Sequence, residues 1–354
     1  MFGINEIGFF GVFLVFIFFV LLLDLGVFSK GFHKVGFTEA TIWSVIWIGI
    51  SLAFYFFLIH FGYLVHGIDS LDEIKNRIVE YKHPIDISGL GFDEALVVYE
   101  KNLALEYLTG YVIEKSLSVD NIFVIILIFY AFGVDERYYK RVLMWGIIGA
   151  VVMRFIFIFA GAALVREFDW ILYVFGGILV FTGVKLYLDR NKKDRIDPST
   201  HPMVKLASRF FRVHKSFAGH KFFLKIDGKR YVTPLFLVLL VIEFSDVIFA
   251  VDSIPAIFAV SKDPYIIFFS NIFAILGLRA LFFLMANILN KFYYLKIGLS
   301  VLLTFIGVKM LVHEPLKEIG FSTIHSLYII LGILSVSILA SVFFPPKEKI
   351  IEEK

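Results

Sequence analysis

The sequence predicts an all-α, polytopic membrane protein of about nine transmembrane helices. Three observations predict it. Apolar runs of bilayer-crossing length recur along all 354 residues, of which 59% are hydrophobic and 43 are Phe. Mean hydropathy is +0.84, whereas a soluble domain of this length is about half apolar. Two of the runs also carry the same order of buried-type acids, which suggests a repeated unit. Once the spans are removed, no soluble domain of usual size is left.

The expected spans are 8–28, 39–64, 104–133, 140–166, 169–189, 232–260, 265–289, 293–313 and 324–344. The first has no basic leader and no small-residue cleavage site, and it carries Asp24, so it reads as a retained span rather than a signal peptide. The chain divides into 1–103 (the first two spans and a polar loop), 104–189 (a three-helix unit), 190–231 (a basic loop), 232–313 (a second three-helix unit) and 314–354 (the last span and a tail).

Orientation follows from the basic residues. Loops carrying Lys30, Lys34, Arg137, Lys140, Arg141 and the twelve basic residues of 190–230 lie on one side, with Lys291 and the C-terminal lysines. The opposite loops hold far fewer. The N-terminus is therefore expected outside and the C-terminus in the cytoplasm. The net charge of +3 says little, because the basic residues sit in a few loops.

Two loops are long. Residues 65–103 are acidic and polar and should form short external helices. Within them Gly89-Leu90-Gly91-Phe92-Asp93 reads as a turn, since its spacing does not fit an intramembrane-protease motif. In 203–217, Met203, Leu206, Phe210, Phe211 and Phe217 alternate with basic residues at helical spacing, as in a helix lying on an anionic leaflet. Lys221–Ile226 and Lys229–Thr233 flank Asp227-Gly228, a type I′ hairpin pair. A membrane surface accounts for these charges, and no nucleic acid is expected as partner. The sequence identifies no oligomeric partner.

The chemistry lies in the acidic clusters. One is Glu114-Lys115-Ser116-Leu117-Ser118-Val119-Asp120-Asn121. The other is Glu243-Phe244-Ser245-Asp246, followed by Val251-Asp252-Ser253-Ile254-Pro255. A carboxylate at bilayer depth costs about 2.5–3.5 kcal/mol on insertion scales. Ion pairing that merely holds helices together is the simpler account. The acids keep company with hydroxyls and an amide rather than with equal numbers of bases, which favours a cation site.

The third span aligns with the sixth. Val119-Asp120-Asn121-Ile122 matches Val251-Asp252-Ser253-Ile254, and Glu114 matches Asp246. Arg154 then matches Arg279, and Phe181, Gly183, Val184 and Lys185 match Phe305, Gly307, Val308 and Lys309. Tandem three-helix units must cross the membrane in opposite directions, an inverted repeat with its site at the repeat interface.

Glu114 and Asn121 share a helix face, as do Asp246 and Ser253. With Ser116, Asp120, Glu243 and Asp252, these ladders would supply roughly six oxygens to a divalent cation. Pro255 cannot donate a hydrogen bond, which frees the carbonyl of Val251 as a further ligand or simply kinks the helix. Without thiols or histidines in the clusters, oxygen-preferring Mn²⁺, Mg²⁺ or Ca²⁺ fit better than Zn²⁺. A proton or Na⁺ pathway would use the same residues. Asp24, Ser245, Arg154 and Arg279 are candidate entrance or supporting residues. Lys115 is expected to pair with an acid, and Lys185 and Lys309 to snorkel to opposite faces. The chain has no cysteine, which excludes disulfides, thiolate metal sites and cysteine nucleophiles.

The chain resembles the TerC family of integral membrane proteins, more closely its Alx branch. The resemblance rests on Leu108-Thr109-Gly110-Tyr111 with 113–121, Phe168-Asp169-Trp170-Ile171-Leu172-Tyr173, 181–185, 243–260 and 271–280. It reaches Asp24 and Leu25 and covers most of the chain. It implies a bacterial inner-membrane protein that exports Mn²⁺, with Glu114, Asp120, Asn121, Asp246 and Asp252 as site residues. Family members are also labelled for tellurium resistance, and a plant relative is tied to thylakoid protein insertion. The expected function is therefore manganese export, with Mn²⁺ and the lipid bilayer as partners, no prosthetic group and no enzymatic activity. The rival is a non-transporting factor for protein insertion or a resistance complex. An aspartyl protease using Asp120 and Asp252 would need a Gly-x-Gly-Asp motif that the chain lacks.

Overall fold

Each apolar stretch folds as helix, because a chain in lipid must satisfy its own backbone groups. A computed structural model describes residues 4–24, 36–168, 170–189, 201–214, 216–288, 294–312, 315–316 and 321–344. The side chains of Asp24, Asp120 and Asp252 lie outside the described residues, as do Lys30, Lys34, Lys215, Lys291, 190–200 and the C-terminal tail.

The helices are α1 (Ile4–Asp24), α2 (Phe37–Phe61), α3 (Tyr63–His66), α4 (Leu71–Tyr81), α5 (Phe92–Ala131), α6 (Glu136–Glu167), α7 (Ile171–Leu188) and α8 (Pro202–Phe210). They continue with α9 (Pro234–Phe258), α10 (Pro264–Ile275), α11 (Leu278–Ile288), α12 (Leu295–Leu311) and α13 (Thr323–Phe343). Among the described residues, α2, α6, α7, α9 and α13 are long and apolar enough to cross a membrane. The pair α10 and α11, bent by 42°, is apolar enough only when taken together, as a broken span or a re-entrant loop, and α1 and α12 carry shorter apolar stretches. Length and apolarity alone thus give five or six crossings, fewer than the nine expected. Helix α5 escapes that measure because Glu106, Glu114, Lys115 and Asp120 interrupt it.

Three local expectations need correction. The helix that carries the third span begins at Phe92, inside the stretch 65–103 expected as a loop with short helices, and it is 40 residues long. Glu94 accepts a hydrogen bond from the Gly91 amide at 3.4 Å, and Ala95, Tyr99 and Leu103 are buried, so the polar end of the loop is wound into the helix. The seventh span is broken at Leu276-Gly277. Gly277 has φ +76°, and a side chain there would meet the Trp47 ring. The basic helix ends at Phe210 instead of 217, because Arg212–Val213 turn into a strand, β1.

The hairpin forms as expected. Strands β2 (Phe223–Ile226) and β3 (Lys229–Val232) pair antiparallel, β1 joins β3 in parallel, and the order is β1-β3-β2. Asp227 and Gly228 take φ 49° and 75°, the double left-handed turn that favours Gly.

The main core packs α1, α2, α5 and α10 around aromatic rings, with Phe13 and Phe269 centroids 4.3 Å apart. Every residue from Tyr265 to Ile275 in α10 is buried. At one end, Arg77 bonds Glu6 at 2.7 Å and Glu80 at 2.7 Å, tying α1 to α4. Helices α7 and α12 touch backbone to backbone. A Cβ on Gly307 would lie 2.7 Å from the Gly176 carbonyl oxygen, and one on Gly183 would lie 2.8 Å from the Ser300 carbonyl oxygen. The outer surface presents Phe19, Ile46, Ile156, Phe181 and Val336, an apolar belt suited to lipid.

Candidate cation site

Four helices meet at Arg154. It rises from α6 with a side chain 2% exposed, and it pairs with Glu114 of α5, whose side chain is 0% exposed. Its guanidinium lies 4.0 Å from Asp246 of α9, and it donates a hydrogen bond to the Asn271 side-chain carbonyl of α10. Asn271 is held in turn by its own helix, donating to the Ile267 carbonyl at 3.1 Å. One cation thus serves two carboxylates and an amide in a setting where an isolated charge would be prohibitive.

The cluster is not saturated. Asp246 Oδ2 and Arg154 Nε are buried without a hydrogen-bond partner among the described residues, and outside the cluster so are the hydroxyls of Ser118 on α5 and Ser253 on α9. Native interiors leave few such groups.

Farther along α5 and α9, a cavity of about 300 Å³ opens between α5, α7, α9 and α12. Its lining includes Asn121, Ser253, Thr182, Lys185 and Asp189. Asn121 and Ser253 are the aligned neighbours of Asp120 and Asp252. Asn121 of α5 and Ser253 of α9 therefore border a common space.

Several expected site residues stand elsewhere. Ser116 donates to its own helix at Val112, and Ser245 to Val241 at 2.8 Å. Both hydroxyls are occupied in back-bonds and are not offered to an ion as they stand. The Glu243 carboxylate lies against Gly149 of α6, in space that a side chain at Gly149 would fill. Arg279, the aligned partner of Arg154, sits on α11 within electrostatic range of Lys140. Among the described residues no three His, Asp or Glu side chains are grouped to hold a metal ion.

Two lysines serve helix C-termini. Lys115 donates to the carbonyls of Ala274 at 3.1 Å and Leu276 at 3.4 Å, where the break in α10 frees them. A cation at a helix C-terminus meets both the orphan carbonyls and the negative end of the dipole. Lys309 does the same at the end of α9, donating to Ala259 at 3.1 Å, so it turns inward instead of snorkelling. Lys185 is exposed, as expected.

Sequence reasoning missed Asn271, because an amide in an apolar run gives no sign of which charge it meets. It also missed a second buried network built from His66, His83, Glu106 and Asp263. Its residues lie in three separate stretches, and only Glu106 falls inside an expected span.

Residues 99–349 match the integral membrane protein TerC family. An uncharacterized membrane protein of Myxococcus xanthus, STKORF319, is 43% identical over 342 residues, covering 96% of this chain and 93% of that protein. A protein of Salmonella typhi named as a proposed membrane-bound redox modulator, Alx, is 42% identical over 313 residues, covering 87% of this chain and 85% of its own length. The Escherichia coli K12 protein of the same name is 41% identical over 309 residues, 86% of this chain and 84% of its own. No solved structure matches the chain. The match spans both acidic clusters and the helices that carry them, and the chain belongs to the integral membrane protein TerC family.

Proposed function

We propose that this protein exports Mn²⁺ from the cytoplasm across a bacterial inner membrane, through the acidic site between its two halves. The observation that carries the reading is the meeting of Glu114, Asp246 and Asn271 at Arg154, with a cavity lined by Asn121 and Ser253 farther along the same helices. Asp120 and Asp252 complete the oxygen set in this reading. Hard oxygen donors suit Mn²⁺ better than soft metals.

The two halves work as an inverted repeat, 104–189 against 232–313, rocking to give alternating access. Reciprocal packing supports this. In the alignment Gly183 corresponds to Gly307, and Gly176 to Ser300. Gly176 packs on Gly307 while Gly183 packs on Ser300, and a two-fold contact is reciprocal in just this way. The basic loop faces the cytoplasm and its helix α8 lies on the membrane. Protonating a carboxylate weakens a hard-cation site, so proton exchange would drive release.

The relatives' name offers redox modulation as a second reading. This chain has no cysteine, so a redox effect would not run through a thiol of its own. It would follow from the metal content of the cell.

The test is ion flux in proteoliposomes holding the purified chain, compared across Mn²⁺, Mg²⁺, Ca²⁺ and Zn²⁺. Manganese should move fastest. Equal, carrier-independent leakage of all four would sink the reading.

A further inference from the structure

We propose that His66, His83, Glu106 and Asp263 form a proton-binding site, where the transporter loads the protons it exchanges for its cation. The exchange rests on the export reading above. Proton binding itself stands without it.

The network is sealed. The His66 and Asp263 side chains are both 0% exposed, with Nε2 3.2 Å from Oδ2. The side chains of His83 and Glu106 are 0% and 1% exposed, with Nδ1 2.9 Å from Oε1. Asn102 donates to Glu106 Oε1 at 2.7 Å, and Ser261 donates to its other oxygen. Tyr99 Oη lies 2.7 Å from His66 Nδ1. Glu106 is thus fully engaged. His83 Nε2 is buried with no partner among the described residues, and the same holds for an aligned bond at His66 Nε2 and Asp263 Oδ2.

Two imidazoles face two carboxylates. With both imidazoles neutral the quartet carries two negative charges, and with both protonated it is neutral. The capacity is two protons, the charge of one divalent cation. The charged and titratable groups that face the quartet from neighbouring elements include, among the described residues, Glu6 on α1, Arg77, Glu80 and Tyr81 on α4, Tyr99 on α5, Tyr265 on α10 and Lys309 on α12. Arg77 is taken up by Glu6 and Glu80, and Lys309 by the Ala259 carbonyl. A proton fits the quartet better than a metal, since no three of its groups are arranged around an ion.

The electrostatics agree in direction. Burial works against a charged His83, yet Glu106 and Asp263 raise its pKa above the usual histidine value. Burial likewise opposes the Asp263 carboxylate, but His66, His83 and the Tyr265 amide hold it below the usual range.

The network also has a mechanical route to the cation site. Helices α5 and α10 run side by side in the same direction, because their contacts advance in step. Glu106 meets Ser261 just ahead of α10, Gly110 lets Ser270 approach closely, and Lys115 reaches Ala274. On α5, Glu106 precedes Glu114 by eight residues, and Asp263 precedes Asn271 by the same interval. Eight residues of helix span about 12 Å. Each rod therefore carries one proton-network residue and one residue of the Arg154 cluster. Asp263 seats α10 by accepting the amide of Tyr265 at 2.9 Å. With eleven consecutive buried residues, the helix cannot shift at Asp263 without moving Asn271.

The test uses the full chain in proteoliposomes with an internal pH dye and a manganese gradient. The expected result is proton counterflow in the wild type that is lost in His83→Gln and His66→Gln, while Mn²⁺ binding to the purified variants persists. Variants that exchange protons and manganese like the wild type would overturn the site and leave the export reading intact, as would wild-type export without proton counterflow. If the wild type moves no manganese, the export reading fails and ¹⁵N-histidine spectra of the reconstituted chain decide. The same spectra decide if the variants do not fold. A buried imidazole that titrates reversibly between about pH 5 and pH 9 upholds the site. Buried imidazoles that keep one protonation state across that range overturn it.

Discussion

Glu114 and Arg154 form an ion pair sealed from water, on adjacent helices of the first half, and Arg154 extends from it to Asp246 and Asn271 in the second half. The cluster therefore ties α5 and α6 to α9 and α10. Arg154→Met alone would strand a buried carboxylate and should cost about 3–5 kcal/mol. Combining it with Glu114→Gln should recover most of that stability without restoring export. Thermal unfolding in detergent measures both. A double variant as unstable as the single one would mean that charge is not what the site balances.

Asp246→Asn, Asp120→Asn and Asp252→Asn each keep shape while removing a charge. Export should be lost with membrane insertion intact, since removing a charge from an apolar helix eases insertion. Lys185→Gln should be mild even though Lys185 borders the cavity, because the side chain is exposed and offers no oxygen to an ion. Manganese efflux and membrane abundance, measured together, check this. Wild-type efflux in the three Asn variants would remove the carboxylates from the ion path.

Backbone contact between α7 and α12 makes a steric prediction. Gly307→Ala would place a methyl 2.7 Å from the Gly176 carbonyl oxygen, whereas nothing lies within 4 Å of a Cβ at Gly177. Overpacking of this kind costs about 1–3 kcal/mol. Gly177→Ala should change stability little. Equal unfolding temperatures for the two variants would contradict the packing.

The pH dependence of stability has a definite sign. His83 has a raised pKa in the folded protein, so its stabilisation is complete below the usual 6.5 and is lost as pH rises through the raised value. Asp263 has a lowered pKa, so its contribution is present above the usual 3.8 and is lost as pH falls through the lowered value. In melts across pH, His83→Gln should flatten the alkaline decline and Asp263→Asn the acid one. The opposite assignment would refute the charge states given to the pair.

Orientation is open to a direct test because the chain has no cysteine. Single variants Lys75→Cys and Lys225→Cys place thiols at exposed positions. A membrane-impermeant maleimide should label Lys75→Cys in intact cells and Lys225→Cys only after permeabilisation. The reverse pattern would invert the topology.

The sequence by itself determined the membrane class, the helical stretches, the Asp227-Gly228 hairpin and the acids on α5 and α9. These follow from local properties: hydropathy, turn chemistry and the cost of charge in lipid. The tertiary structure alone decided what each polar group meets. Lys115 and Lys309 cap broken or terminating helices, because the orphan carbonyls they serve appear only once α9 and α10 have ended. Ser116 and Ser245 turn back on their own helices. Asn271, Asp263, His66 and His83 looked unremarkable singly. They acquire their roles because α10 is threaded through the middle of the bundle, and only burial without water makes a partner obligatory for each of them.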